Sequence, residues 1–393
     1  MNILILSTYP ADNPMHGGQH RLFNIIKKYK SLGHNVVNAG ILGSERYSSS
    51  NTFLNYPYKD FNKVNYNTLF MEDCTIFNLL RNDDSYYYAL CEKFDEIFDI
   101  IHAEQPWMMP FAIKYKELKN CSVKIIYGSQ NIECNLKKRI LLEYFSDENI
   151  EFKVSLVEEA EKYAIKAADF CIAVSKFDAS WIKEHTHKKV YIIPNGVIER
   201  KITGRSNFEG VIKEFDSFAL YCASGHPPNI TGFLETFKEG FGCMRPDQRL
   251  IIVGSVCESL ESNPQFNNIA NMKIRTLLLG EVSENDLAFL LNNAKVVILP
   301  ILSGSGTNLK TAEAIWNKSY VIATPKAMIG YEEFIGEEGI IVEETSLGFR
   351  KHLRRLMNLD RIEITTESVN HRKKVLWDSC LSQLSVVLHD MFA

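Results

Sequence analysis

The chain has 393 residues, 46% hydrophobic and 23% charged, with a formal net charge of -4. That length exceeds one ordinary core and predicts two domains, and the charge balance excludes wholesale nucleic-acid binding, which needs a basic face. Nine cysteines stand singly, without a C-x-x-C pair, a spacing that fits neither a zinc site nor a disulfide framework and predicts a reducing compartment.

Met1-Asn2-Ile3-Leu4-Ile5-Leu6 lacks a basic leader and a cleavage site, and no apolar run approaches the ~20 residues of a membrane helix, so a cytoplasmic protein is expected. Asn2 to Ser7 reads as a strand buried on both faces. After a loop rich in Pro and Gly, Gln19 to Leu32 has helical spacing, with Leu22, Ile25, Ile26 and Tyr29 on one face and Gly33 as its stop. Asn35 to Ile41 is the next strand, which opens the chain as a β-loop-α-β unit. Leu42 to Asp83 is polar, aromatic and weakly patterned and reads as irregular structure or an insertion. Tyr86 to Phe98 reads as helix, Asp99 to Ala103 and Val123 to Tyr127 as strands, and Val154 to Ala168 as an amphipathic helix. Phe170 to Val174 and Lys189 to Ile193 follow as strands, and Pro194-Asn195-Gly196 punctuates the chain as a hinge turn.

Beyond Gly196 the pattern restarts. Strands are expected over Phe218 to Ala223, Arg249 to Val253, Lys273 to Leu279, Lys295 to Leu299 and Tyr320 to Ala323. Helices are expected over Gly232 to Phe241, Glu284 to Asn292 and the tail from about Glu367 to Phe392. Each strand ends in Gly, Pro or Ser, which puts turns at the carboxyl edge where open α/β sheets bind ligands. The expected fold is α/β, with two Rossmann-like doubly wound domains facing across a cleft: 1–197, 198–366, and a terminal helix over 367–393 that crosses back.

The segment after the Lys295 to Leu299 strand carries most of the chemistry. Ser303, Gly304, Ser305, Gly306, Thr307, Asn308 and Leu309 form a tight turn into a helix, with Lys310 on its first turn and Glu313 one turn later. Backbone N–H groups at such a helix start favour a phosphate. The lysine neutralises a phosphate oxygen and the glutamate accepts from sugar hydroxyls, so the segment reads as a nucleotide-sugar cradle. The plain alternative is a strand-to-helix turn followed by a solvated Lys310–Glu313 pair. Gly17 and Gly18 let a donor approach the first helix, or simply loosen a loop, and His16 and Arg21 flank them as acceptor contacts or surface residues. Glu104, Gln105 and Trp107 follow a strand end, where an aromatic beside polar groups suits a sugar ring or a packed core. Gln130, Asn131 and Glu133 are a second polar cluster at a strand end. Gly254, Gly280, Glu281 and Val282 would hold the base edge through backbone groups, or end ordinary strands.

In order and spacing these segments resemble the GT-B glycosyltransferases of the family-four retaining type (glycosyl transferases group 1). The matching pieces include Gly17-Gly18, Ser129-Gln130-Asn131-Ile132-Glu133, Ile193-Pro194-Asn195-Gly196-Val197, His226-Pro227-Pro228-Asn229 and Gly304-x-Gly306-Thr307-x-x-Lys310-x-x-Glu313-Ala314. The resemblance implies transfer of a hexosyl group from a UDP- or GDP-sugar, mainly on the carboxyl-terminal half, to an acceptor on the amino-terminal half, with configuration kept. It implies no metal and no further cofactor, Gln130, Lys310 and Glu313 in catalysis, and His226 at the donor. Surface glycan or glycoconjugate synthesis is the implied setting. The chain departs from the family pattern at Ser305, where a glutamate is usual, at Gln130, where a histidine is usual, and in the missing arginine and lysine pair after the first strand of the second half. That leaves Lys310 as the expected cation for the diphosphate.

Partners are a nucleotide-sugar donor and a carbohydrate, lipid-linked or protein acceptor, with no nucleic acid. The basic runs at Lys27, Lys28, Lys30 and Lys137-Lys138-Arg139 read as solvated faces, with peripheral contact to an anionic inner membrane face as the alternative. Rival functions are an inverting transferase with Glu104 or Glu133 as base, an epimerase, and an inactive nucleotide-sugar-binding subunit.

Overall fold

The computed structural model describes residues 1–47, 50–61, 70–146, 149–303 and 307–393. Gly304, Ser305 and Gly306 therefore lie outside the described residues. The chain divides into two units, one made of Met1–Pro194 with Leu381–Ala393 and the other of Asn195–Cys380.

In the first unit the unbroken Ile, Leu and Val runs become strands with both faces covered. They are β1 (Asn2–Ser7), β2 (Asn35–Ile41), β3 (Phe53–Leu54), β4 (Ile100–Glu104), β5 (Lys124–Gly128), β6 (Phe170–Ala173) and β7 (Val190–Ile192). All pair in parallel, in the order β3-β2-β1-β4-β5-β6-β7. Ile3 stands opposite both Val36 and Ile100. The order reverses between β1 and β4, and such a switch point opens a crevice outside the carboxyl ends, here Ser7 and Glu104.

The second unit repeats the plan with β8 (Ser217–Cys222), β9 (Gln248–Val253), β10 (Thr276–Leu278), β11 (Val296–Leu299), β12 (Tyr320–Ala323) and β13 (Ile340–Val342). Their order is β10-β9-β8-β11-β12-β13, again all parallel. Its switch point lies between β8 and β11, so Cys222 and Leu299 end at the crevice. Both units are thus doubly wound α/β layers, as the sequence predicts.

The stretch expected to be irregular, Leu42 to Asp83, differs. It holds β3 and the helix Glu72–Asn82, whose Cys74, Ile76, Phe77 and Leu80 are buried. The helix expected over Tyr86 to Phe98 is shorter, Asp84–Cys91. The tail is not one helix. Residues Thr366–Arg372 and Trp377–Cys380 are helical in the second unit and Gln383–Phe392 in the first. The break has a cause: Leu376 is extended and bridges to Val197, with the Val197 N–H donating to the Val375 carbonyl at 2.9 Å. Past that break, Asp390 accepts from Lys189 and Tyr191 beside β7.

Candidate functional site

In the second unit the site grows from the ends of β8 and β11. After β8 the chain runs through Ser224, Gly225 and His226 into the helix Pro227–Phe237. His226 is its N-cap residue and makes no side-chain cap bond. Asn229, buried on that helix, donates to the Ser224 carbonyl at 2.9 Å, and its Oδ1 accepts from Lys310 Nζ at 2.7 Å. After β11 comes the helix Leu309–Trp316. Asn308 makes no side-chain cap bond to it, and its first turn carries no acidic residue. Its first N–H groups are the orphan donors of a helix start and favour an anion.

Lys310 is half-buried, and burial pulls its ammonium down to about 8, against the opposing pull of Cys222 and Glu313. Glu313 is not paired with Lys310. Its Oε1 accepts from Arg200, Nε at 3.2 Å and Nη2 at 2.5 Å. Arg200 is a residue of the candidate site that sequence reasoning missed, because it follows Pro194-Asn195-Gly196 in a segment without pattern. Thr307 accepts from Asn195 Nδ2 at 3.1 Å through its Oγ1, which ties Thr307 to the start of the unit. Ser303 is exposed and Leu309 partly buried.

The backbone-only candidates sit at neighbouring strand ends. The Gly254 N–H donates to the Gly280 carbonyl at 2.7 Å, and these glycines have φ of 103° and 65°. Glu281 is exposed and Val282 partly buried. A Cβ on Gly254 would stand 2.2 Å from the Ala223 carbonyl oxygen. Gly254→Ala is therefore expected to lower the stability of the chain by about 1–3 kcal/mol from backbone strain alone; an unchanged urea midpoint would show that the turn relaxes freely.

In the first unit Glu104 ends β4 and is buried beside the switch point. Its Oε2 accepts from Arg21 Nε at 3.2 Å and Gln130 Nε2 at 2.8 Å, and its Oε1 lies 3.1 Å from His102 Nε2. Burial alone would raise this carboxyl, but Arg21, His102 and Gln130 outweigh it and hold it at about 2. Gln130 also accepts from the Tyr9 hydroxyl at 2.9 Å. Gly18 packs against that pair: a Cβ there would stand 2.6 Å from Tyr9 Oη and 2.8 Å from Gln130 Oε1. The structure thus brings Gly18, Gln130 and Glu104 together, with Tyr9 as a member the sequence reading did not single out. Gly17 is exposed beside them and His16 caps the helix Gly17–Ser31, its Nε2 3.1 Å from Tyr47 Oη.

Three acceptor expectations need correction. Trp107 is 1% exposed and packs among Phe77, Ile132 and Leu141, so its ring face is closed to a sugar. Arg21 is 1% exposed, committed to Glu104 and to the Ile193 carbonyl at 3.0 Å, and offers nothing to an acceptor. Glu104 is spent on the same buried pair. Glu133 is also buried, accepting from Gln105 Nε2 at 3.2 Å, and burial pushes it up to about 7. Its neighbour Glu161 accepts the N–H groups of Glu133 and Cys134 at 2.6 and 2.9 Å, capping the helix Glu133–Tyr144. Asn131 is partly buried and uses its carbonyl to accept from Ser129 Oγ at 2.7 Å.

Among the described residues no cluster of His, Cys, Asp or Glu has the makings of a metal site, and no helix is long and apolar enough to cross a membrane.

Residues 219–358 match the family model for glycosyl transferases group 1. The whole fold is shared with solved structures. Sucrose-phosphate synthase from Thermosynechococcus elongatus matches with a TM-score of 0.61 at 13% identity, over 100% of this chain and 99% of that one. HepE from Anabaena, in complex with UDP, matches with a TM-score of 0.64 at 14% identity, over 99% and 100%. WaaG, a glycosyltransferase involved in lipopolysaccharide biosynthesis, matches with a TM-score of 0.59 at 14% identity, over 100% of both chains. No curated protein matches the sequence. At such identity the likeness is one of fold. The chain has the GT-B fold, and its residues 219–358 resemble the glycosyl transferases group 1 in sequence.

Proposed function

We propose that this GT-B chain transfers a hexosyl group from a UDP- or GDP-sugar to an acceptor hydroxyl with retention of anomeric configuration, in the synthesis of a surface glycan or glycoconjugate. One observation carries the reading: Lys310, Glu313 and an uncapped helix start stand at the β8/β11 switch point, inside the family-matched segment. HepE, of like fold, binds UDP, which supports a nucleotide donor here. The second unit takes the donor, with Gly254, Gly280, Glu281 and Val282 at the base and His226 and Ser303 to Leu309 around the diphosphate. The first unit takes the acceptor, near His16, Gly17, Gly18, Gln130 and Asn131.

In this reading the bond from the anomeric carbon to the diphosphate oxygen breaks as charge builds on the leaving group. The helix N–H groups and the Lys310 ammonium stabilise that charge. The acceptor oxygen bonds to the anomeric carbon from the same face, and its proton passes to a phosphate oxygen. Lys310 takes the charge-neutralising part, so transfer is expected to persist in EDTA. The protein acts in the cytoplasm, at the membrane face where the acceptor is lipid-linked.

The experiment is a thermal-shift panel of UDP and GDP followed by transfer assays and NMR of the product. A nucleotide at a hundred times its Kd is expected to add about 2.7 kcal/mol of stability. An inverted anomer sinks retention, and binding without transfer to any acceptor pool leaves a donor-binding subunit.

A further inference from the structure

Arg200 belongs to no motif, yet the fold commits it to the candidate donor site. Its backbone is fixed nearby: the N–H groups of Thr203 and Gly204 donate to Asn285 Oδ1 at 2.8 and 3.0 Å, and Ser206 Oγ donates to Asp286 Oδ1 at 2.6 Å. Asn285 and Asp286 lie on the first turn of the helix Glu284–Asn293. Glu284 of that same turn accepts from Arg200 Nη1. The guanidinium is thus held at one end and reaches Glu313 with Nε and Nη2. Both of those hydrogen bonds fall on Oε1 of Glu313. Among the described residues none falls on Oε2. The two side chains are each 20% exposed and share the wall of a pocket with Ala288, Leu291 and Trp316, so the carboxylate is both sheltered and reachable. At the end of β8 the thiol of Cys222, raised to about 12 by burial, feels Glu313, Lys310 and Arg200 in turn. Three charges therefore surround the switch point.

We propose that Arg200 is a positioning residue for the donor: it grips one oxygen of Glu313 and so presents the other to the ribose hydroxyls. This rests on the nucleotide-donor reading above. An anionic carboxylate beside a diphosphate needs a countercharge and a fixed rotamer, and a guanidinium with two N–H groups on one oxygen supplies both. Lys310 does not serve Glu313 in this way, because its Nζ is turned to Asn229.

The test is calorimetric titration of the full chain and its Arg200→Ala and Arg200→Lys variants with UDP, GDP and their 2′,3′-dideoxy forms. In the wild type the natural nucleotide is expected to bind more tightly than its dideoxy form. Arg200→Ala is expected to weaken the natural nucleotide by about ten- to a hundredfold, the scale of a hydrogen bond to a charged group, and to leave the dideoxy form almost unmoved. Arg200→Lys is expected to recover part of the loss. An equal loss for both forms marks a merely structural role and overturns the proposal. So does tighter binding in Arg200→Ala, which would make the arginine a plug, and so does no change at all. Those three results leave the donor reading standing. If the wild type binds neither UDP nor GDP, the donor reading falls and this inference falls with it.

Discussion

Lys310→Ala is expected to slow transfer by about 10²–10³-fold, the usual cost of removing one preorganised group that stabilises developing charge. Lys310 stands on the first turn of the helix Leu309–Trp316, whose start the Asn308 side chain does not cap, and its Nζ is steered by Asn229 at 2.7 Å. Fold and expression should survive, because Lys310 is not part of the core. The pH dependence is a second signature. Burial lowers the lysine to about 8, so the ammonium is lost as pH rises through that value, and affinity for a nucleoside diphosphate should decline above it. Lys310→Arg keeps its charge and should show no such decline. The same shift means that the buried ammonium opposes folding at neutral pH, and that this cost fades as pH rises from about 8 towards the ordinary lysine range. Full turnover by Lys310→Ala, or identical pH profiles for wild type and Lys310→Arg, would remove the lysine from the mechanism.

Glu104→Gln is expected to destabilise the chain by about 3–5 kcal/mol, because it leaves the Arg21 guanidinium buried without its anion. Glu104 is held at about 2 in the fold, below the ordinary carboxylate value. Its contribution is therefore full above about pH 4.3, the unfolded value, and is lost as pH falls through about 2. Urea unfolding of wild type and variant should show a wide gap at pH 7 that narrows near pH 2. A gap of the same size at both pH values would mean that packing around the side chain, not its charge, is what the variant loses.

Those two residues illustrate what the amino-acid order makes legible. The strands β1, β2 and β12 have the expected bounds, because a parallel strand covered on both faces is an unbroken apolar run. The position of Lys310 on the first turn of a helix was legible for a similar local reason: a short amphipathic run follows the end of β11 closely. The helix Glu72–Asn82 was hidden because its buried face is brief and lies amid polar and aromatic residues. Trp107 was ambiguous because an aromatic after a strand end looks alike whether it meets a sugar or Leu141. The partners of Glu313 and Glu104 were beyond local reading. Arg200 and Arg21 lie 113 and 83 positions from them, and only the sheet order brings each pair together.

The helix Gln383–Phe392 belongs with β7, although all of Asn195–Cys380 separates them in the chain. On the ribosome the first unit is therefore left without its closing segment until the second has been made. At ~5–20 residues per second that interval lasts roughly ten to forty seconds. For that time Tyr191 and Lys189 wait for Asp390, the side chain that accepts from both in the finished fold. Vectorial synthesis thus lets the second unit mature before its upstream neighbour is sealed.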